Sequence, residues 1–136
     1  MWSNLQFADF RDNGFEGSIP ASIFDIPNIA ILYFSNNNLD GPIPPNFGSP
    51  PFLRDLFLSG NRLSGTVPDI QPGQLADLTE LLLEGNMLEG TMPASVCQLR
   101  VDGVGILEDL WADCSATADP RIECELDTCC TRCFPE

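Results

Sequence analysis

The feature of the sequence that most constrains its fold is a pattern that repeats every 24 or 25 residues around an asparagine. A large apolar residue follows each asparagine by two positions, a glycine by four, and an apolar residue and a proline by six and seven. Internal repeats of this length indicate a solenoid, in which each coil buries its apolar residues only against neighbouring coils. The asparagines are Asn13, Asn37, Asn61 and Asn86, and the glycines are Gly17, Gly41, Gly65 and Gly90.

Apolar residues also precede each asparagine, by three, five and eight positions. The two nearer ones alternate with polar or aromatic residues, and this alternation predicts a short strand with its apolar side chains pointing inward. We expect these strands to form a parallel sheet, and the asparagine amides to form a structural ladder bonded to backbone groups of their own and adjacent coils. The apolar residues are, coil by coil, Leu5, Ala8 and Phe10; Ile29, Leu32 and Phe34; Leu53, Leu56 and Leu58; and Leu78, Leu81 and Leu83.

This pattern, written LxxLxLxxNxLxGxIP, resembles the plant-type leucine-rich repeat over residues 2 to 95. The resemblance implies a right-handed α/β solenoid with a parallel sheet on its concave side and irregular or 3-10 structure on its convex side. We predict four repeats in residues 1–95, and a capping repeat with a cysteine-rich cap in residues 96–136. Leu107, Leu110 and Ala112 match the strand of the capping repeat. The first coil has no matching cap, so we expect further N-terminal repeats in the full-length protein.

The six cysteines all lie in the last 40 residues. Zinc could be held by Cys124, Cys129, Cys130 and Cys133, or the cysteines could remain free thiols. Adjacent cysteines rarely ligate one ion comfortably and histidine is absent, so we favour three disulfides and no metal. The segment resembles the disulfide-bonded C-terminal cap of extracellular leucine-rich repeat proteins from plants and algae, and disulfides imply an oxidising compartment, outside the cell or at its surface. The cysteines are Cys97, Cys114, Cys124, Cys129, Cys130 and Cys133.

Composition argues against catalysis and against nucleic acid binding. The chain has no histidine and no lysine, which removes the commonest general base and the Schiff-base nucleophile. It carries no GxSxG, P-loop or HExxH motif, and we predict neither an enzyme nor a cofactor. Its net charge of −14 repels phosphate backbones. The longest apolar run, residues 29–34, is too short to span a membrane, and no secretory signal is visible in the sequence.

The outward positions of the predicted strands form three columns on the concave face. The central column is apolar and the columns beside it become acidic toward the C-terminal end, which is typical of a protein or peptide contact surface. The acids either attract a basic ligand or only solvate an acidic protein. The predicted ligand-binding residues are Tyr33, Phe57, Leu82 and Trp111, with Asp55, Glu80, Asp109, Glu84 and Asp113.

The function that the resemblance implies is non-catalytic recognition, in the ligand-binding part of a receptor-like or secreted protein. A structural spacer or cell-surface scaffold is a second hypothesis. A third is a surface that binds carbohydrate or ice, or one that inhibits a glycosidase. Ice binding predicts a flat array of threonine or asparagine on an exposed face, and the outward columns carry no threonine.

Overall fold

The structure is a computed structural model that describes residues 2–100, 105–114, 122–124 and 129–134. The described part contains a 3-10 helix at Ala21–Asp25, a four-residue helix α1 at Ala94–Cys97, and short strands. The described strands are, in chain order, β1 (Phe7–Asp9), β2 (Glu16–Ser18), β3 (Ile31–Tyr33), β4 (Asn38–Gly41), β5 (Asp55–Phe57), β6 (Arg62–Gly65), β7 (Glu80–Leu82), β8 (Met87–Leu88), β9 (Gly90–Thr91), β10 (Asp109–Ala112), β11 (Ile122–Glu123) and β12 (Arg132–Cys133).

Six of these strands form one parallel sheet, which we call the first sheet, in the order β1, β3, β5, β7, β10 and β12. Each repeat contributes one strand, and the register aligns the same repeat position in neighbouring coils. The central residue of each repeat strand points into the core. These central residues are Ala8, Leu32, Leu56, Leu81 and Leu110, and all are buried. The solenoid with a parallel sheet predicted from the repeats is therefore confirmed.

Buried asparagines join each coil to the one before it. The side-chain nitrogen of Asn37 donates to the carbonyl of Phe34 in its own coil and to that of Phe10 in the preceding coil, at 2.8 and 2.9 Å. Its side-chain oxygen accepts the backbone N–H of Phe15, at 3.2 Å. Asn61 and Asn86 repeat the same three contacts one and two coils further on. These amides satisfy backbone groups that the turn at the end of each strand leaves unpaired.

A second parallel sheet runs beside the first, in the order β2, β4, β6 and β8. Its strands follow the asparagines, and the glycine four positions after each asparagine has a positive φ, between 72° and 85°. Side chains are disfavoured in this left-handed region, which explains glycine in every coil. The prediction of irregular or 3-10 structure outside the first sheet did not include this second sheet. The residues of the second sheet do not alternate between apolar and polar as a strand usually does. They form strands because they pair with the same segment of the neighbouring coil.

The glycine of the second coil provides a test of this requirement. We expect Gly41→Ala to lower the free energy of unfolding by about 1 to 2 kcal/mol, because φ is +72° and alanine is strained there. Gly14→Ala is the matched control, since Gly14 lies outside the left-handed region and its added methyl group meets no atom within 4 Å. Urea denaturation of both variants measures the difference, and equal midpoints would contradict the explanation.

Three disulfides join all six cysteines, as Cys97–Cys129, Cys114–Cys133 and Cys124–Cys130. The disulfide prediction is confirmed, and sulfurs that are bonded to each other cannot act as thiolate ligands of zinc. Cys114–Cys133 links the end of β10 to β12, a sixth strand that the repeat pattern did not predict.

Within the described residues, none of the helices is long and apolar enough to cross a membrane. Residues 101–104, 115–121, 125–128 and 135–136 of the predicted cap lie outside the described residues.

Candidate ligand-binding face

The side chains of the first sheet that point away from the core form what we call the outer face. The register places six of them in one row across the six strands, and five of them in a second row beside it. The first row is Asp9, Tyr33, Phe57, Leu82, Trp111 and Arg132, and the second is Phe7, Ile31, Asp55, Glu80 and Asp109. Neighbouring strands lie about 4.8 Å apart, so Tyr33 and Trp111 are separated by roughly 14 Å.

Aromatic rings at the N-terminal end of the outer face stack on one another. The rings of Tyr33 and Phe57 are nearly parallel, with centroids 4.3 Å apart, and Phe7 meets Tyr33 edge-on at 5.8 Å. The guanidinium of Arg11 lies over the Tyr33 ring, 4.6 Å from its centroid. Phe57 comes from the following coil and Arg11 from the preceding one, so they cover opposite faces of Tyr33. The edge of the Tyr33 ring is therefore what it offers to a ligand.

A second aromatic cluster lies at the C-terminal end of the outer face. The indole nitrogen of Trp111 donates to the carboxylate of Asp109, at 3.2 Å. Arg132 lies over the rings of both Trp111 and Phe134, at 5.1 and 4.9 Å. Sequence reasoning did not include Arg132 and Phe134 in the candidate site. Residues 131–134, TRCF, give only a weak signal for a strand that would place Arg132 on the outer face. A strand of two residues is too short for a pattern of alternation to be recognised.

Most of the five predicted acidic residues accept hydrogen bonds within the protein, including Asp109 from Trp111 and Glu84 from Ser59. Asp55 is only 7% exposed, accepts the hydroxyl of Thr79 at 3.0 Å and pairs with Arg54 at 3.4 Å. Asp113 accepts the backbone N–H groups of Gly85 and Asn86, at 2.9 and 3.0 Å, and so closes the turn after β7. The carboxylates of Asp55 and Asp113 therefore have structural contacts with the neighbouring coil.

The remaining acidic residues are Glu80, Asp109 and Glu84. Burial raises the pKa of Glu80, and the negative charges of Asp55 and Asp109 raise it further. Burial is also the main cause of the raised pKa of Glu84, one of whose carboxylate oxygens is buried without a hydrogen-bond partner among the described residues. The outer face thus concentrates acidic side chains at its C-terminal half, and the neighbouring carboxylates disfavour the ionisation of Glu80.

The family model described as Leucine Rich Repeat matches residues 28–50, 52–71 and 77–99. Together with the coils and their register, these matches show that the chain belongs to the leucine-rich repeat family. A comparison with curated proteins finds no match.

Several solved structures share this fold. One is the leucine-rich repeat ectodomain of the plant membrane receptor kinase GASSHO1/SCHENGEN3 from Arabidopsis thaliana, in complex with CASPARIAN STRIP INTEGRITY FACTOR 2, with 33% identity, a TM-score of 0.70, and coverage of 82% of this chain and 13% of that one. Another is the plant peptide hormone receptor RGFR1 in complex with RGF2, with 29% identity and a TM-score of 0.69. This match covers 82% of this chain and 16% of the receptor chain. A plant ice-binding protein matches at 26% identity and a TM-score of 0.60, over 75% of this chain and 30% of that one. The chain therefore spans a small part of the length of each of these proteins.

Proposed function

We propose that the outer face of the first sheet binds an extended peptide or a peptide-like segment of a protein, without catalysis, as part of a receptor-like or secreted leucine-rich repeat protein. The observation that carries this proposal is the row of half-buried apolar side chains, Tyr33, Phe57, Leu82 and Trp111, on a rigid parallel sheet. Apolar and aromatic anchors of this kind provide most of the affinity in protein recognition. The similarity to a peptide hormone receptor supports the same ligand class.

The packing of the rings favours a peptide over a carbohydrate. A sugar ring binds best to an open aromatic face, and both faces of Tyr33 are covered, by Phe57 and Arg11. Ring edges beside Leu82 instead form a ridge against which apolar side chains can pack. The threonine-free rows give no support to ice binding, in spite of the shared fold with an ice-binding protein.

The carboxylates beside the apolar row favour a ligand with basic residues at one end. Glu80, Asp109 and Glu84 all lie toward the C-terminal half of the outer face, whereas the charges at its N-terminal end, Asp9 and Arg11, pair with each other. Opposite charges across an interface increase the rate of encounter and fix the orientation of the partner. The three disulfides support an extracellular or cell-surface location.

Selection of phage-displayed peptides on the immobilised chain tests this proposal. We expect selected peptides to combine apolar residues with arginine or lysine, and to bind the variant Tyr33→Ala with Trp111→Ala at least about tenfold more weakly. Met87→Ala is the control, because Met87 is an exposed apolar residue of the second sheet. Peptides that bind the double variant and the parent chain equally well would show that the outer face is not the site, and a spacer function would then be favoured.

A further inference from the structure

The first row of the outer face ends on a positive charge beside the acidic half of that face. Strand β12 places Arg132 next to Trp111 in register, and the guanidinium carbon of Arg132 lies 5.1 Å from the centroid of the Trp111 ring. At the edge of the same ring, the carboxylate of Asp109 accepts the indole N–H. Glu84 is also near, since the charge of Arg132 opposes the rise that burial causes in the pKa of Glu84. Arg132 therefore holds a guanidinium where the proposed function expects the basic part of a ligand.

The contact of Arg132 differs from that of the arginine at the other end of the outer face. Arg11 lies over Tyr33 and is fixed there by Asp9, whose two carboxylate oxygens accept hydrogen bonds at 2.9 and 2.7 Å. Within the described residues, the guanidinium of Arg132 forms neither an ion pair nor a hydrogen bond, and two aromatic rings hold it. Contacts between a cation and an exposed ring are weak. Arg132 is therefore easier to displace than Arg11.

The side chain of Arg132 can leave the indole ring without movement of the backbone. Arg132 is exposed, and β12 is the last strand of the first sheet in the described part of the chain. The disulfide Cys114–Cys133 and the backbone hydrogen bonds of Thr131 and Phe134 to β10 fix the chain on both sides of Arg132. Exposed side chains change rotamer on the picosecond to nanosecond timescale. A rotation of one side chain is therefore enough to uncover the indole face.

We propose that the face of Trp111 covered by Arg132 is a subsite for an arginine side chain of the ligand, and that Arg132 occupies it in the free chain as an internal competitor. This inference rests on the proposed function, and it names the residue that receives the basic part of the ligand. A planar guanidinium stacks on an indole and still donates hydrogen bonds to carboxylates near the ring, whereas the ammonium group of lysine is not planar and is more strongly hydrated. The subsite therefore favours arginine over lysine.

An internal competitor has a predictable effect on affinity. When a site is occupied from within the chain, only the fraction of molecules in which it is empty binds the ligand, and the apparent dissociation constant increases accordingly. Removing the side chain of Arg132 is therefore expected to strengthen the binding of an arginine ligand. An arginine that contributes to an interface gives the opposite sign, because its removal weakens binding.

The fluorescence of Trp111 reports directly on this subsite. The chain has two tryptophans, so a Trp2→Phe background leaves Trp111 as the only one. The probe is acetyl-tetraarginine amide at physiological salt, with acetyl-tetralysine amide for comparison. In this background, we expect Arg132→Gln to bind the arginine probe about three- to tenfold more tightly than the chain that retains Arg132, from the loss of two exposed ring contacts, and to prefer it to the lysine probe. Arg62→Gln is the matched control, because it removes the same charge from an exposed position of the second sheet and is expected to leave the affinity unchanged.

Equal or weaker binding of the arginine probe by the Arg132→Gln variant would overturn the inference, and so would the absence of any response of Trp111 in both chains. An equal gain from Arg62→Gln would overturn it as well, since net charge alone would then explain the effect, and equal binding of the lysine probe would overturn the choice of arginine. Failure of the proposed function is a different observation, namely selected peptides that bind the double variant of Tyr33 and Trp111 as well as the parent chain. Circular dichroism establishes that each variant is folded.

Discussion

Replacing Asn61 with alanine is expected to lower the free energy of unfolding by about 3 to 5 kcal/mol, which is a large part of the stability of a small domain. Its side-chain nitrogen donates to the carbonyls of Phe34 and Leu58, at 3.0 and 3.1 Å. Its side-chain oxygen accepts the backbone N–H of Leu39, at 3.1 Å. Asn61 itself is buried, so alanine would leave the N–H of Leu39 without a partner, at a cost of about 1 to 3 kcal/mol. The carbonyls of Phe34 and Leu58 would each lose one of two donors and keep the amides of Asn37 and Asn86, and each lost bond costs about 0.5 to 1.5 kcal/mol more.

Asn13→Ala is the control for this experiment, because Asn13 occupies the same repeat position but is exposed and bonds only within its own coil. We expect this change to cost below about 1 kcal/mol, since water can replace the lost hydrogen bonds. Chemical denaturation with urea measures both variants. If the two substitutions cost the same, the contacts between coils would not be the source of the stability that the asparagines provide.

The fold could be predicted because one repeat determines the next. Inward apolar residues at fixed distances from Asn37 recur around Asn61, and stacking the same pattern in register is the only way each coil can bury them. Alternation at period two also assigned the outward rows correctly, since a residue beside an inward one in a strand must face the other side of the sheet. These conclusions need no knowledge of distant contacts.

The second sheet could not be predicted in the same way. In β4 and β6 a single inward apolar residue, Leu39 or Leu63, is followed by one residue and then by a glycine with positive φ. Glycine normally indicates a turn or a break, so local propensity opposed the strand assignment. Hydrogen bonds to neighbouring coils overrode that propensity, and such pairing depends on the complete stack.

Part of the candidate site was also beyond sequence reasoning. The position of Tyr33 in the outward row followed from the repeat, but the cover that Arg11 and Phe57 provide depends on side-chain conformation. In the same way, Asp55 belongs to the acidic row by register, and its contact with Thr79 arises from the neighbouring coil. The sequence was therefore enough to predict which residues lie in the same row of the outer face. It was not enough to predict which of these side chains are free to contact a ligand.

Removing the disulfide Cys97–Cys129 by replacing both cysteines with alanine is expected to lower the free energy of unfolding by about 4 kcal/mol, from the loop-entropy relation. This bond closes the longest of the three loops, since its cysteines are 32 positions apart in the sequence. Removing Cys124–Cys130, which are separated by 6 residues, is expected to cost about 2 kcal/mol on the same relation. Replacing both members of each pair avoids a free thiol that could exchange with the remaining disulfides.

Urea denaturation of the two double variants under non-reducing conditions measures these costs. An equal or larger loss from the short loop would contradict the loop-entropy explanation and would indicate that native contacts around Cys124 dominate.

Loss of the Cys97–Cys129 disulfide also has a consequence for the outer face. Cys97 lies at the end of α1, and Cys129 lies three residues before Arg132, so their bond restrains the segment that forms β12. Since Arg132 covers Trp111, loss of this disulfide is expected to loosen the C-terminal end of the candidate binding face before it unfolds the coils.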